Sequence, residues 1–307
     1  MNDKRYPLVS VAIITYNSSK TVIEALDSIY NQNYPNIEVI ISDDCSKDNT
    51  VDVCHEWARV HQDRFARVEI MTVDENTGVS GNVNRCWNEC RGEWIKPLAG
   101  DDILMDHCVE DMVAYMLVNP QIVCAFSRMK AFGRSREENE EYMTRVFNYD
   151  FFNWSIEEQK EYMYYGGNCI PAPTSFFNRE KVLHQLDIHA DERIPMVEDV
   201  ILWINMLRKN VQFGFLDKEE VLYRLSDSSL STTYRPSEKS AQSLALIYLL
   251  YRFELRYKSG KFNKLGEIRK YIHAANTAWG GWFWKTMIGI DYVFAKTLNL
   301  FGAKLKV

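Results

Sequence analysis

Three absences narrow the reading of this 307-residue chain. It has no CxxC pair: its seven cysteines are an odd number, scattered, without histidines at zinc spacing. Neither a disulfide framework nor a zinc module is indicated, and Cys86 and Cys90, four apart on an expected helix, read as reduced packing thiols. It has neither a glycine fingerprint after its first strand nor a GxxxxGK[ST] run, which argues against a dinucleotide-binding Rossmann site and a P-loop. It has no apolar stretch fit to cross a bilayer, since Lys285, Asp291 and Lys296 interrupt the longest one. The opening "MNDKRYPLVSVAIITYN" shows no secretory pattern, so the expected location is cytoplasmic.

What is present is an ordinary globular composition, 46% hydrophobic and 25% charged, with an uneven charge distribution. Residues 239–307 hold twelve Lys or Arg against three Asp or Glu, a net of +9; with −6 overall, residues 1–238 carry −15. Aromatics interleave the basic segment ("TAWGGWFWKTMIGIDYVF"), which suits an anionic membrane surface better than nucleic acid. Its helices either lie peripherally on the inner face of the cytoplasmic membrane or pack on the preceding domain. The expected division is therefore a catalytic domain over 1–236, with halves at about 1–127 and 128–236, and a helical C-terminal region over 237–307.

The first half alternates strand and helix signals. Strands are expected at 8–15, 37–43, 67–73 and 94–98; helices at 18–32, opened by capping serines, at 49–62, and from the glycine-containing "ENTGVSG" loop to about 91. This is an α/β pattern of right-handed βαβ units with a mostly parallel sheet, which binds ligands beyond the carboxyl ends of its strands. At those ends stand Thr15, Tyr16 and Asn17, then Asp43 and Asp44, then residues 74–78, then Asp101 and Asp102. A site rich in acid and poor in phosphate-cradling glycine needs a divalent cation to hold a phosphorylated ligand.

Four blocks, "VSVAIITYN", "EVIISDDCSKDNT", "ENTGVSGNVNRCWNECRGEWIKPLAGDD" and "MVEDVILWINM", resemble in order and spacing the family 2 glycosyltransferases, inverting nucleotide-sugar enzymes of GT-A fold. The resemblance covers about 7–225. It implies that Tyr16, with Thr15 and Asn17, borders the nucleotide base and that Asp44, beside Asp43, accepts the base imide N–H. It further implies that Gly78 lies at the donor pocket, that Asp101 lies near ribose or phosphates, and that Asp102 binds Mn2+ or Mg2+. Glu198 and Asp199 match the acidic pair whose Asp is the general base. The implied reaction moves a sugar from a UDP-sugar to a saccharide hydroxyl, on a polyprenyl-diphosphate carrier in bacterial surface polysaccharide (O-antigen or capsule) synthesis.

Two positions depart from the family pattern. Val83 stands where relatives have an arginine, leaving Arg85 either to meet phosphate or to face solvent. Ser226 stands where many have a histidine, leaving Asp227 or Arg224 to contact metal or phosphate. Residues 133–166 read as an acidic, aromatic acceptor-side loop and helix, or else as a solvated insertion. Asn168 and Thr174 are candidate sugar contacts. Each acidic pair also has a plain structural reading as a turn or helix cap. Two other functions stay open: a sugar-phosphate nucleotidyltransferase, and a catalytically silent relative that binds membrane or partner enzymes.

Overall fold

A computed structural model describes residues 6–164, 168–192 and 198–226. The C-terminal region 237–307 and Asp227 lie outside the described residues, as does the side chain of Glu198.

Apolar runs that a helix would leave half-exposed become central strands. β1 (Val9–Thr15) and β2 (Ile37–Asp43) are buried along nearly their whole length, as expected of parallel strands covered on both faces. With β3 (Arg67–Met71) and β4 (Trp94–Ala99) they form a parallel group in the order β3-β2-β1-β4. The connecting helices α1 (Val22–Tyr30), α2 (Thr50–His61) and α3 (Gly78–Glu89) match the expected alternation. α1 turns Val22, Ala25, Leu26 and Ile29 into the core, with Val22, Leu26 and Ile29 each contributing about 1.5–3 kcal/mol. The capping serines expected there act differently: the Ser18 carbonyl accepts the Thr21 and Val22 N–H groups, and the helix has no side-chain cap.

Past β5 (Ile103–Leu104) and α4 (Cys108–Val118) the sheet changes character. It continues through β7 (Phe176–Asn178), β6 (Cys124–Phe132), β8 (Phe213–Arg224) and β5. β7 is antiparallel to both neighbours, β6 and β8 are parallel, and β5 runs antiparallel to β8. The result is an eight-stranded mixed sheet flanked by helices.

Residues 133–166, read above as loop and helix, contain two helices, α5 (Arg136–Val146) and α6 (Ile156–Tyr164), joined by a 3-10 turn. Ser135 with Glu138 and Ser155 with Glu158 close reciprocal caps at their starts. The last helix among the described residues is α7 (Glu198–Arg208). Trp203 packs edge-on against Phe126, and Phe152 stacks on Phe215, so α7 and the insertion share one aromatic core.

Candidate active site

The parallel strands β1, β2 and β4 end on one edge, and a web of hydrogen bonds joins their ends. Gly100 N–H donates to the Ile14 carbonyl at 3.0 Å, and Thr21 Oγ1 donates to the Gly100 carbonyl at 2.9 Å. Gly100 is required there: a Cβ would stand 2.9 Å from Thr15 Cγ2. Beyond β1, Tyr16 is 50% exposed, leaving a ring face open to a planar ligand. Asn17 has a left-handed backbone (φ 51°), fixed by Ser46 Oγ and by its own Oδ1 on the Lys47 N–H.

At the end of β2 the two aspartates are buried and anchored by several donors each. Asp43 accepts from Thr15 Oγ1 (2.8 Å), Ser46 Oγ (2.5 Å) and Ser46 N–H (2.8 Å). Asp44 Oδ1 accepts from Thr77 N–H, Thr77 Oγ1 and Arg85 Nη2, and Oδ2 from Gly78 N–H at 2.8 Å. Asp44 thereby satisfies donors at the start of α3, where carboxylate charge is favoured, and the positive φ of Gly78 (78°) aims its N–H at it. The Arg85 side chain is 20% exposed and anchored within the protein. Its guanidinium donates to Ser42 Oγ, Thr77 Oγ1, Asp44 Oδ1 and Asn82 Oδ1. Val83, in the family's arginine position, is a core residue at 7% exposure.

The doublet after β4 is built differently. Asp102 is 1% exposed; its Oδ1 accepts the Arg224 backbone N–H at 2.9 Å, and its Oδ2 is buried without a hydrogen-bond partner among the described residues. Burial, and then the Asp101 charge, push its carboxyl well above the usual carboxylate range. Asp101, half-buried beside it, is also raised by burial, while the Arg224 cation opposes the shift. The Arg224 side chain spans the doublet, with Nε on the Asp101 carbonyl at 2.8 Å and Nη2 on Glu24 at 2.9 Å. Beneath lies Lys96, fully buried, its ammonium bonded to the Pro97 and Pro173 carbonyls and its pKa lowered by burial. Sequence reading missed Lys96, although a lysine inside the strand run "WIKPLA" is itself a signal, because a buried charge needs partners.

Asp199 lies in the first turn of α7. Its Oδ1 accepts the Val200 N–H at 2.7 Å, the Asn168 side chain donates to its carboxylate, and burial raises its pKa. Asn168 and Asp199 are thus brought together, whereas Thr174 is corrected: at 1% exposure its hydroxyl bonds the Ser127 N–H and the Pro171 carbonyl, so no sugar reaches it.

The Glycosyl transferase family 2 model matches residues 10–186. Among curated relatives, the chain is 24% identical over 232 residues to the UDP-Glc:alpha-D-GlcNAc-diphosphoundecaprenol beta-1,3-glucosyltransferase WfaP of Escherichia coli, covering 73% of this chain and 80% of WfaP. At about 30% identity it aligns with 38% and 45% of the length of two Bacillus subtilis proteins, less than half of each. Among solved structures, TarS residues 1–349 of S. aureus, in complex with UDP-GlcNAc, superposes with a TM-score of 0.63 at 18% identity, over 80% of this chain and 66% of TarS. The mannosyltransferase PcManGT of Pyrobaculum calidifontis, in complex with GDP-Man and Mn2+, superposes at 0.56 with 14% identity, over 95% of this chain and 81% of that one. At such identities the superpositions speak for the GT-A fold.

Proposed function

Since the chain belongs to glycosyl transferase family 2, we propose that it is an inverting glycosyltransferase that moves a sugar from a UDP-sugar to a hydroxyl of a saccharide acceptor. The observation that carries this reading is the orphaned Asp102 Oδ2 at the sheet edge. Two adjacent carboxylates, one holding a buried, unpaired oxygen, suit a hard divalent cation such as Mn2+ or Mg2+. Asp102 would hold the ion, with half-exposed Asp101 bordering its approach. A cation held there would supply positive charge to offset that of the departing diphosphate.

The remaining roles belong to this chain's own side chains. Tyr16 offers its exposed ring to the base. Asp44 Oδ2, which accepts one donor at present, keeps a lone pair for the base imide N–H. Asp199, oriented by Asn168, takes the proton from the acceptor hydroxyl as that oxygen attacks the anomeric carbon. The glycosidic bond to the nucleoside diphosphate breaks on the opposite face in the same displacement. Glu198 stands beside Asp199 at the start of α7, where the helix dipole favours anionic side chains.

WfaP is named for a UDP-sugar donor and a diphosphoundecaprenol acceptor, which supports a polyprenyl-diphosphate-linked acceptor in bacterial polysaccharide synthesis here. A basic segment of net +9 over 239–307 suits an anionic membrane holding such a carrier. Isothermal titration with UDP, GDP, dTDP and CMP, each with and without manganese, tests the donor assignment. Manganese-dependent binding of UDP is expected; a folded protein that binds none of the four overturns the proposal.

A further inference from the structure

A second group of ligating side chains lies apart from the strand-end carboxylates. His107 immediately precedes α4, Asp111 sits in that helix's first turn, and Glu220 projects from β8. One ligating atom from each falls within 4.8 Å of the others. His107 Nε2 is 3.5 Å from Glu220 Oε2 and 4.0 Å from Asp111 Oδ2.

Glu220 makes this more than an acidic cluster. It is completely buried, yet among the described residues no N–H or hydroxyl group donates to either carboxylate oxygen. An unpaired buried carboxylate is costly, and chains keep one where a cation or proton completes it. Lys96, on its inner side, spends its ammonium on the Pro97 and Pro173 carbonyls. Lys218 lies instead on Asp111, at 2.9 Å from Oδ2; it is 54% exposed and free to swing aside, and such a surface pair contributes little. Burial, then the charge of the Asp111 carboxylate and a side-chain hydrogen bond shared with it, push the Glu220 carboxyl up to about 7.

We propose that His107, Asp111 and Glu220 form a second divalent-metal site, of zinc type, that clamps the start of α4 to β8. One imidazole nitrogen with two carboxylates suits zinc and its borderline neighbours, whereas magnesium prefers oxygen donors alone. Ligand atoms held about 2.0–2.2 Å from a tetrahedral ion lie about 3.3–3.6 Å apart. The spacings at His107 are already near that range. The clamp has a consequence for the strand-end site: β8 carries Arg224, whose N–H and guanidinium hold the Asp101–Asp102 turn. Fixing β8 to α4 therefore steadies that turn from behind, without the second ion touching substrate.

The test uses the full chain stripped with EDTA and titrated calorimetrically with zinc chloride in the absence of nucleotide, so its result is independent of the donor assignment. One zinc per chain is expected, with excess magnesium failing to compete and the melting temperature rising with zinc. His107→Gln changes a half-exposed residue and keeps the fold, checked by its melt without metal. It should weaken zinc at least about tenfold, as should Asp111→Asn, while Asp102→Asn leaves zinc affinity unchanged. No zinc binding by the folded wild type, or equally tight binding by His107→Gln, overturns the proposal.

Discussion

The chain carries the same doublet at the ends of two neighbouring parts of its sheet, and the fold uses the two copies in opposite ways. At the end of β2, Asp43 and Asp44 are each anchored by several donors: Asp44 alone receives four, from Thr77, Gly78 and Arg85. At the end of β4, Asp102 keeps an unpaired buried oxygen next to a second acid. Burial is nearly equal, 2% and 1% exposure, so burial does not separate them. The separation lies in how many donors the local backbone supplies. A carboxylate anchored by several donors stabilises a turn; one left with an unpaired oxygen is held at a cost that a ligand can offset.

The largest effect expected is at Asp199, the third acid, which resembles Asp102 in its raised pKa. Asp199→Asn keeps shape and the Val200 contact but removes the base. Transfer should fall about 10²–10⁴-fold, with UDP affinity by titration unchanged; unaltered turnover would remove Asp199 from the mechanism. Because burial raises this carboxyl above the ordinary aspartate value, the active ionised form is gained only as pH climbs past that raised value. The acid limb of kcat/KM should therefore lie above the usual aspartate range, and it should disappear in the Asn variant's residual activity.

Next in size is the contrast between the doublets themselves. Asp44→Ala strands the Thr77 and Gly78 N–H groups and the Arg85 guanidinium, a loss of about 3–5 kcal/mol typical of a broken buried pair, read as a fall in urea midpoint. Asp102→Asn should leave that midpoint level or higher, since it relieves repulsion from Asp101, yet abolish the manganese dependence of UDP binding. If both variants lose stability equally, the distinction between scaffold and ligand fails. An Asp44→Ala, Arg85→Leu double-mutant cycle sharpens it further: the two should be strongly non-additive, because Arg85 bonds Asp44 directly.

The same contrast explains how far the sequence could be read. The βαβ alternation through β4 was legible because β1 and β2 are almost wholly buried and so almost wholly apolar. The strand-end positions of Thr15, Asp43, Asp44, Asp101 and Asp102 followed from topology. The donor count at each was not legible, since it depends on Thr77, Arg85 and Arg224, which are distant in sequence or absent from any local pattern. Arg85 was read as a choice between phosphate and solvent, and the structure gives a third use. Residues 133–166, read as a loop and a helix, hold two helices, and the second was not legible because α5 buries no residue and both are weakly amphipathic. Their only strong signal was "SREE" and "SIEE", the Ser-x-x-Glu capping spacing. The His107, Asp111 and Glu220 group was invisible because Glu220 comes from a strand more than a hundred residues away.

The smallest expected effect isolates backbone geometry from chemistry at the anchored end. Gly78 has φ 78°, and a Cβ built on it meets no atom within 4 Å. Gly78→Ala therefore introduces no clash, only the cost of a left-handed backbone, about 1 kcal/mol. If the Asp44 anchor dominates, the loop stays in place and the variant loses that amount in a urea melt with UDP affinity intact. If the loop instead escapes the strain by releasing the Gly78 N–H, Asp44 Oδ2 is freed and UDP affinity shifts with stability. The ratio of the two changes thus measures how firmly four donors hold one carboxylate.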